Sequence, residues 1–385
     1  MSKGRISLAD PDVGKAEARA VYKVVSSGWI SAGRITAGME EDLALKIGAP
    51  GVVLVSSGTA ALHLALLVAG VGPGDEVLVP SMSFVASAST VVMVGATPRF
   101  VDVAGLAEPN LDPTAVAEAI TERTRAVLVT HLAGFPARVD ALRNITDEAG
   151  VELIEDCAHA PLVSYGGRQL GTFGRLGVLS FHTTKSISMG EGGAIVCRDT
   201  SDADHARLLR NHGLQRDDAT FAYDVATLGF NYRPSEVAAA VGRVQLDRLA
   251  DDRDHRRELR TLYESRLGVL PGVNLPFAGW QGDSAHHLLP VVLPPYVDRD
   301  AVRRHLLAVG IESGVHYPPI HELTQYRQAP QEPLAATVAY GRQHLTLPLH
   351  RRVTRSDVAT VADALGVALK LESGGREAPV RGPAV

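Results

Sequence analysis

The sequence predicts an α/β fold: a large domain built on a mostly parallel sheet of seven strands, followed by a smaller α+β domain. Between residues 51 and 199, short β-branched runs alternate with longer helical patterns, which is typical of βαβ units. Apolar residues are continuous within the strand candidates, as expected where helices cover both faces of a sheet. The 385 residues also exceed the ~150 residues of an ordinary domain, which favours two packed units.

The elements follow in order along the chain. Residues 13–26 and 39–47 have amphipathic helical patterns ended by Gly28 and Gly48, and we expect both helices to pack at the edge of the sheet. The strand candidates are 52–55, 76–79, 99–103, 126–130, 151–155, 178–182 and 194–197. The helix candidates between the first five strands are 59–69, 85–94, 113–122 and 139–149.

After the sheet, residues 234–249 and 254–267 have strong helical patterns, and Pro234 suits a first helical turn. The remaining pattern predicts a strand at 287–293, a helix at 301–309, a strand at 311–316 and a helix at 354–371. We therefore expect a large domain at 13–250 and a small domain at 251–372. Residues 373–385 lack apolar periodicity, which predicts a disordered tail.

Composition excludes several classes of protein. The formal net charge of −5 offers no basic field for a phosphate backbone, so we expect no nucleic-acid partner. The only two cysteines, Cys157 and Cys197, lie in apolar runs, which excludes a disulfide framework and a zinc module. No run approaches the ~18 apolar residues of a membrane span, and residues 1–12 lack the pattern of a secretory leader. We expect a cytoplasmic protein without a membrane partner and without a bound metal.

Polar or glycine residues interrupt apolar runs at the ends of strands, where open α/β sheets bind ligands. The first such segment is 56–59 (Ser-Ser-Gly-Thr), between a strand and a helix rich in Ala and Leu. Glycine and hydroxyl residues at a helix N-terminus offer free N–H groups and a positive dipole to an anion, most often phosphate. The same segment also fits an ordinary helix N-terminal cap.

A second segment, 155–159 (Glu-Asp-Cys-Ala-His), follows the strand candidate 151–155. Two carboxylates at a strand end are costly to bury without a cationic partner, so a bound cation or a protonated ring nitrogen would suit them. Either carboxylate could instead cap the next turn. His159 by itself fits a hydrogen-bonded packing residue as well as a catalytic one.

The third segment contains Lys185 and is followed by a glycine-rich turn at 190–193. Lysines in loops are usually solvated. This lysine lies between two apolar strands, a setting that can desolvate an amine and lower its pKa, as a covalent cofactor lysine requires. The glycines could equally form a tight hairpin.

The fourth segment, 229–234, precedes a long helix, and within it Asn231 or Arg233 could bind an anion or Asn231 could cap the helix. Competing chemistries lack their motifs. The glycines at 70–74 follow a helix and include a proline, unlike a dinucleotide-binding turn, and the chain has no Walker A motif, nucleophile elbow or H-E-x-x-H. Lys185 therefore remains the best candidate nucleophile.

In their order, these segments resemble the DegT/DnrJ/EryC1/StrS sugar aminotransferases, which are pyridoxal 5′-phosphate (PLP) enzymes of fold type I. The resemblance extends from about residue 26 to 371. It rests on SGWI at 27–30, SGTAAL at 57–62, VPS at 79–81 with Phe84, ED at 155–156 with His159, SFH at 180–182, Lys185, the glycines of 190–193, NYR at 231–233, HYP at 316–318 and LPLH at 347–350.

The resemblance implies a role for each catalytic residue. Lys185 would attach the cofactor and move a proton between substrate and cofactor, and Asp156 would pair with the pyridine nitrogen and keep it protonated. Phe84 would stack on the ring and His159 would lie near the ring and its phenolic oxygen.

The resemblance also implies how the cofactor phosphate is bound. Gly58, Thr59 and Ser180 would hold it, and Asn231 of a neighbouring subunit would reach the same phosphate. The active unit would therefore be a homodimer with shared sites.

The implied reaction moves an amino group from glutamate or glutamine to a nucleotide-linked keto sugar. Our first choice is a dTDP-4-keto-6-deoxyhexose, in deoxyaminosugar and antibiotic biosynthesis. A 3-keto sugar, a ketocyclitol and a catalytically silent relative are alternatives. Some relatives have histidine in place of Lys185 and remove a hydroxyl instead, so the lysine favours transamination. The candidate substrate residues are Trp29, Ile30, Arg233, His316, Tyr317 and His321.

Overall fold

The computed structural model describes residues 4–216 and 222–372. Numbered along the chain, its strands are β1 (Gly51–Val55), β2 (Glu76–Pro80), β3 (Thr97–Val101), β4 (Thr124–Thr130), β5 (Glu152–Asp156), β6 (Ser164–Tyr165), β7 (Arg168–Gln169), β8 (Leu176–Ser180), β9 (Gly193–Cys197), β10 (Leu214–Arg216), β11 (Tyr223–Val225), β12 (Leu289–Val292) and β13 (His344–Leu347). The expected disordered tail, 373–385, lies outside the described residues.

The helices surround these strands. They are α1 (Lys15–Ser27), α2 (Arg34–Ile47), α3 (Gly58–Val68), α4 (Ala86–Met93), α5 (Pro113–Ala119), α6 (Val139–Ala149), α7 (Thr200–Arg210), α8 (Glu236–Asp247), α9 (Leu249–Leu267), α10 (Arg299–Ala308), α11 (Ala335–Gln343) and α12 (Arg355–Glu372). Short 3₁₀ turns occur at Leu132–Gly134, Ile320–Glu322 and Thr324–Tyr326. Among the described residues, none of these helices has the length and apolarity needed to cross a membrane.

Seven strands form the central sheet, in the order β1-β9-β8-β5-β4-β2-β3. The pairs from β3 to β8 are parallel, whereas β9 is antiparallel to both of its neighbours. The α/β fold class and the mostly parallel seven-stranded sheet are therefore confirmed. In this arrangement β1, β2, β4, β5 and β8 all end at one edge, where β9 begins.

Helices cover both faces of the sheet. In β1, Val52 and Leu54 pack into one core with α2, whereas Val53 and Val55 pack into another with α3. This alternation explains why the strand is apolar at every position. As expected, α2 lies against the edge strand β1, while α1 packs on α8.

A separate core lies in the C-terminal part, between β12, β13 and the helices α9, α10 and α12. Helix α9 joins the two regions, because its Leu249 packs in the first core and its Leu259 in the C-terminal core. The domain boundaries at 250/251 and 372 stay predictions.

The expected strand at 311–316 is wrong. Ile311 and Gly314 make only isolated bridges, to Ile6 and Thr346, and the strand that pairs with β12 is β13. Pairing with β12 decided that β13, and not 311–316, forms the strand, and a local sequence pattern carries no information about such a distant partner. The expected strands at 99–103 and 178–182 each begin two residues earlier, and helices α7 and α11 were not anticipated.

Candidate active site

A cavity of about 280 Å³ opens at the edge of the sheet where the parallel strands end. Residues after β1, β2, β5 and β8 line it together with a segment from the C-terminal part of the chain, so it lies where open α/β sheets bind ligands. Nine of the residues singled out in the sequence line it: Gly58, Thr59, Phe84, Asp156, His159, Ser180, Lys185, His316 and Tyr317.

One end of the cavity is the start of α3. Ser57 caps this helix, because its Oγ accepts a hydrogen bond from the Ala60 N–H at 3.0 Å. Gly58 lies so close to the end of β8 that an added Cβ would be 2.8 Å from the Cβ of Ser180. The first N–H groups of a helix have no partner within the helix, so this end combines backbone donors, a positive dipole and the Ser180 hydroxyl. This arrangement, which we call the anion cradle, is suited to binding an anion.

Gly193 explains how the cradle is closed. It pairs with Ser180 across the β8–β9 register, and a Cβ here would be 2.4 Å from the carbonyl oxygen of Ser57. Only glycine allows this approach of two backbones. The glycine-rich turn noted in the sequence thus brings β9 against the start of α3.

Asp156 ends β5 and lines the cavity. One carboxylate oxygen accepts a hydrogen bond from the Ala158 N–H at 2.9 Å. Burial raises the pKa of this carboxyl, and the charges of Lys185 and His131 act in the opposite direction. A buried carboxylate with a nearby amine is suited to a cationic ligand atom such as a protonated ring nitrogen.

Lys185 lies in the loop between β8 and β9. The loop is held by backbone hydrogen bonds between Phe181 and Gly192 and between Met189 and Phe181, and by the Lys185 N–H to the carbonyl of His182. Burial lowers the pKa of the Lys185 amine to about 8, although the charge of Asp156 raises it. A larger fraction of the amine is therefore neutral and nucleophilic near neutral pH than for a solvated lysine.

His159 and Tyr317 are hydrogen-bonded, with 3.0 Å between Nε2 and the phenolic oxygen. The Ala133 N–H donates to His159 Nδ1 at 3.3 Å, so the neutral ring carries its proton on Nε2 and donates it to Tyr317. Burial, with the charges of Lys185 and His316, holds the pKa of His159 well below its usual range. Burial also raises the pKa of Tyr317, so its own proton remains available to a ligand.

Two further side chains complete the cavity wall. Phe84 is 52% exposed and lies 5.5 Å from Tyr317 between ring centroids, so it presents an open aromatic face. His316 hydrogen-bonds Thr346 Oγ1 at 3.1 Å, and burial lowers its pKa to about 4. His159 and His316 are therefore neutral at physiological pH.

The second carboxylate of the pair, Glu155, has a structural role. It is fully buried and accepts hydrogen bonds from the N–H groups of Gly171 and Gly174, at 2.9 and 2.8 Å, and from His131 Nε2 at 3.2 Å. Cys157 lies near this pair, but burial raises the pKa of its thiol. Because the carboxylate oxygens already accept three hydrogen bonds and the thiol stays protonated, the cluster does not suit a metal ion.

Five of the expected residues do not line the cavity within this chain. Trp29 and Ile30 are exposed, at 62% and 56%, and Asn231 is also exposed. Arg233 donates to the Asn211 amide oxygen at 2.6 Å and lines a shallow groove beside the cavity with Glu191. His321 hydrogen-bonds Ser81 at 2.7 Å. Their binding roles stay predictions.

Other residues near the site were not singled out in the sequence. His131 directly follows β4, so the strand-end rule that identified Asp156 would also have found it. His287 stacks obliquely on His159, with 4.6 Å between ring centroids. Its only local signal was a histidine pair, at 286 and 287, in an otherwise apolar run.

The fold and the site define a class of enzyme. An anion cradle, a carboxylate for a cationic ring nitrogen and an amine of lowered pKa lie in one cavity, which fits a cofactor that joins phosphate, pyridine and aldehyde. The class is that of lysine-dependent PLP enzymes built on an open α/β sheet.

Comparison with known proteins agrees, and it is more specific. Residues 11–366 match the DegT/DnrJ/EryC1/StrS aminotransferase family, and the chain belongs to this family. It is therefore a PLP-dependent aminotransferase, as the sequence predicted.

Two curated relatives span nearly the whole chain. The dTDP-4-dehydro-2,3,6-trideoxy-D-glucose 4-aminotransferase of Saccharopolyspora spinosa is 38% identical over 93% of this chain and 95% of its own. The dTDP-3-amino-3,4,6-trideoxy-alpha-D-glucose transaminase of Streptomyces venezuelae is 39% identical over 90% of both. The crystal structure of S. venezuelae DesV with a ketimine intermediate superposes with a TM-score of 0.88 at 37% identity, covering 96% of this chain and 99% of that one.

Proposed function

We propose that this aminotransferase moves the amino group of glutamate or glutamine to the ketone of a nucleotide-linked sugar. The observation that carries the proposal is the single cavity shared by Lys185, Asp156 and the start of α3. The reaction is balanced: one water supplies the keto oxygen when the donor amino acid becomes a 2-oxo acid, and the ketone oxygen of the acceptor leaves as one water when the amino sugar forms, so no oxidant or reductant is needed.

Residues of this chain divide the binding of the cofactor among them. Gly58, Thr59 and Ser180 would hold its phosphate, Phe84 would lie against its ring and Asp156 would accept a hydrogen bond from its pyridinium nitrogen. Bound in this way, PLP supplies an electron sink that stabilises negative charge at the substrate carbon. Asp156 sustains this by keeping the ring nitrogen charged, which a buried carboxylate does more strongly than an exposed one.

Lys185 has two roles. Its amine would attach the cofactor, and with the amino substrate bound it would hold the proton that is exchanged between the reacting carbons. A pKa of about 8 suits this exchange, since an amine with a pKa near the operating pH both accepts and releases a proton.

His159 and Tyr317 orient the reacting groups. The Tyr317 oxygen accepts a hydrogen bond from His159 Nε2–H. The hydroxyl proton of Tyr317 is therefore not needed for this bond and can be donated to an oxygen of cofactor or substrate. The two side chains therefore act as one donor unit, set by the backbone N–H of Ala133.

The sugar's ring position and the donor are the finer parts of the proposal. The two curated relatives are named for amination at ring positions 4 and 3 and are equally similar to this chain. Their names support a deoxyhexose linked to dTDP. Our first choice stays a dTDP-4-keto-6-deoxyhexose, with the 3-keto isomer as the alternative.

The nucleotide needs cations or N–H donors outside the cofactor cavity, because its diphosphate carries about two negative charges. Arg233 is suited to binding it, since in the described part of the chain its guanidinium has no carboxylate in ion-pair contact and donates only to the neutral Asn211. Trp29, Ile30 and Asn231 are exposed and do not line the cofactor cavity of their own chain, which supports their use by the neighbouring subunit of a homodimer.

The proposal is tested by incubating the purified holoenzyme with dTDP-linked 3-keto and 4-keto sugars and glutamate or glutamine, and following products by mass. We expect an amino sugar one nitrogen richer, with the matching 2-oxo acid. A product from a ketocyclitol alone would contradict the nucleotide-linked acceptor.

Free dTDP separates the same alternatives without turnover. It should compete with the acceptor. It should also raise the free energy of unfolding, by roughly 2.7 kcal/mol at a hundredfold excess over its dissociation constant, which is measured as a higher melting temperature. No competition and no thermal shift at millimolar dTDP would favour the ketocyclitol.

A further inference from the structure

Two segments that are far apart in the sequence, 28–33 and 231–235, lie side by side, and we call them the paired segments. Ser31 and Ser235 form an antiparallel bridge, and the next residue, Glu236, donates its N–H to the carbonyl oxygen of Ile30 at 3.0 Å. The residues proposed to serve the neighbouring subunit or the nucleotide therefore share one surface. They are Trp29, Ile30, Asn231 and Arg233.

The side chain of Glu236 joins the first segment to the start of α8. Its Oε1 accepts hydrogen bonds from the N–H groups of Gly33 and Thr36, both at 2.8 Å, and from the Thr36 hydroxyl at 2.6 Å. Its Oε2 accepts from the Ile35 N–H at 2.8 Å, and Glu236 is only 3% exposed. Gly33, the N-cap residue of α2, has no side chain with which to cap the helix. A carboxylate 203 positions away takes this role.

The contacts of Glu236 favour an ionised side chain. Burial alone would raise the pKa of this carboxyl, but the hydrogen bonds from Thr36, Ile35 and Gly33 lower it below its ordinary value. The positive end of the α2 dipole acts in the same direction. A side-chain amide at this position would turn its own NH₂ group toward one of the N–H donors, so it could not replace the carboxylate fully.

The position of Trp29 depends on this carboxylate. A Cβ added at Gly33 would lie 2.6 Å from the indole nitrogen of Trp29 and 3.5 Å from the carboxyl carbon of Glu236, so the three groups are packed together. Trp29 and Ile30 nevertheless remain exposed on the other side. Large side chains that are held in place before a ligand arrives lose less conformational entropy on binding.

The second segment is held without the Glu236 carboxylate. The Ser56 N–H donates to the carbonyl oxygen of Tyr232 at 2.8 Å, and the Tyr232 N–H donates to the carbonyl oxygen of Arg210 at 3.0 Å. Loss of the carboxylate should therefore loosen 28–33 and leave the second segment in place.

We infer that Glu236 is a positioning residue for the acceptor: through the start of α2 it holds Trp29 and Ile30 in the arrangement that binds the nucleotide-linked sugar at the neighbouring active site. The inference rests on the proposed function and adds to it a residue that does not line the cofactor cavity. Its signature is a change in acceptor affinity without a change in cofactor binding or in the reaction with the amino donor.

Asp102 offers a matched control. Its carboxylate caps α11 in the same way, because it accepts hydrogen bonds from the N–H groups of Ala336 and Thr337, at 2.9 and 2.8 Å, and from the Thr337 hydroxyl at 2.6 Å. Helix α11 is not part of the paired segments. Glu236→Gln and Asp102→Asn each replace one capping carboxylate by an amide, and both should lower the melting temperature.

The mobility of Trp29 can be measured without turnover. The chain has two tryptophans, so Trp280→Phe leaves Trp29 as the single indole fluorophore. In this background Glu236→Gln should lower the fluorescence anisotropy of Trp29, and Asp102→Asn should leave it unchanged. Unchanged anisotropy in Glu236→Gln would overturn the positioning role.

Kinetics of the holoenzymes test the link to the acceptor. Glu236→Gln should raise KM for the dTDP-linked keto sugar by about tenfold, the value of one hydrogen bond to a charged group. The values of kcat, of the rate of the half-reaction with the amino donor and of the PLP dissociation constant should stay those of the wild type. Asp102→Asn should change none of the four.

An equal rise of KM in Asp102→Asn, or a loss in Glu236→Gln confined to kcat or to PLP binding, would overturn the inference while amination of the keto sugar persists. If the wild type aminates no dTDP-linked keto sugar, the proposed function fails and the acceptor role of Glu236 fails with it. The anisotropy then still decides separately whether Glu236 fixes Trp29.

Discussion

The imidazole of His159 donates a hydrogen bond to the hydroxyl of Tyr317 across 3.0 Å, and this bond links the end of the central sheet to the C-terminal part of the chain. The Ala133 N–H fixes the direction of the bond, because it occupies the other ring nitrogen. The orientation of the Tyr317 hydroxyl therefore depends on the backbone N–H of Ala133, which follows strand β4 of the central sheet.

This relationship predicts opposite behaviour for two substitutions of His159. In His159→Gln the amide nitrogen can take the place of Nε2 and donate to Tyr317, and only the hydrogen bond from the Ala133 N–H to Nδ1 is lost. Turnover should therefore stay within about tenfold of the wild type, the value of that one hydrogen bond. His159→Asn places its amide near Nδ1 and leaves Tyr317 without a donor, and kcat should fall further. Steady-state kinetics of both variants decide it, and equal activities would contradict the donor role.

Asp156 and Glu155 are adjacent but should respond differently to neutralisation. Asp156→Asn keeps an oxygen for the Ala158 N–H, so the protein should fold and bind PLP, yet turnover should fall by ~10²-fold or more because the charge at the ring nitrogen is lost. Glu155→Gln should instead lower the free energy of unfolding by about 1–3 kcal/mol, since a buried network loses an acceptor. Denaturant unfolding and kinetics on both variants separate the roles. Near-normal turnover of Asp156→Asn would show that Asp156 is not the ring partner.

The lowered pKa of Lys185 predicts a pH dependence. Only the neutral amine attacks an aldehyde, and burial shifts the pKa from 10.5 to about 8. The rate at which apo-enzyme attaches PLP should therefore rise with pH up to a midpoint near 8 and level off above it. Because Asp156 raises this pKa, Asp156→Asn should move the midpoint to lower pH. Stopped-flow absorbance measures both, and a wild-type midpoint above 10 would contradict the desolvated amine.

A shared active site predicts complementation between two inactive variants. Lys185→Ala lacks the amine, and Asn231→Trp should block the phosphate of the opposite subunit. In a heterodimer one site collects both lesions and the other collects none, so activity should return to as much as half per heterodimer. Each homodimer is its own control. No recovery, with heterodimers shown by native mass spectrometry, would contradict the shared site. The helix-cap role that the sequence also allowed for Asn231 is wrong, because Ser235 caps α8 and its Oγ accepts from the Ala238 N–H.

Sequence was sufficient for the parts of this molecule that local chemistry dictates. The strands of the central sheet are apolar because both faces are covered, and Asp156 and Lys185 were found because polar residues at strand ends stand out against such runs. The glycine and hydroxyls that begin α3 indicated either an anion site or a helix cap, and Ser57 does cap the helix.

Other features depend on partners far along the chain. Tyr317 meets His159 across 158 positions, and no local pattern indicates that pairing. The expected strand at 311–316 failed for the same reason, since Thr346 and its neighbours pair with β12 instead. The segment 8–12 contacts α8, where the Gln245 amide donates to the carbonyl oxygen of Asp12 at 3.0 Å, and periodicity does not reveal this contact.

The central claim is that Lys185 carries the cofactor, and reductive labelling tests it most directly. The purified holoenzyme should be yellow, and borohydride reduction followed by proteolysis and mass spectrometry should find the pyridoxyl group on the peptide that contains Lys185. The Lys185→Ala protein, treated identically, should carry no label. A pyridoxyl group on another lysine of the wild type would contradict the assignment of the site.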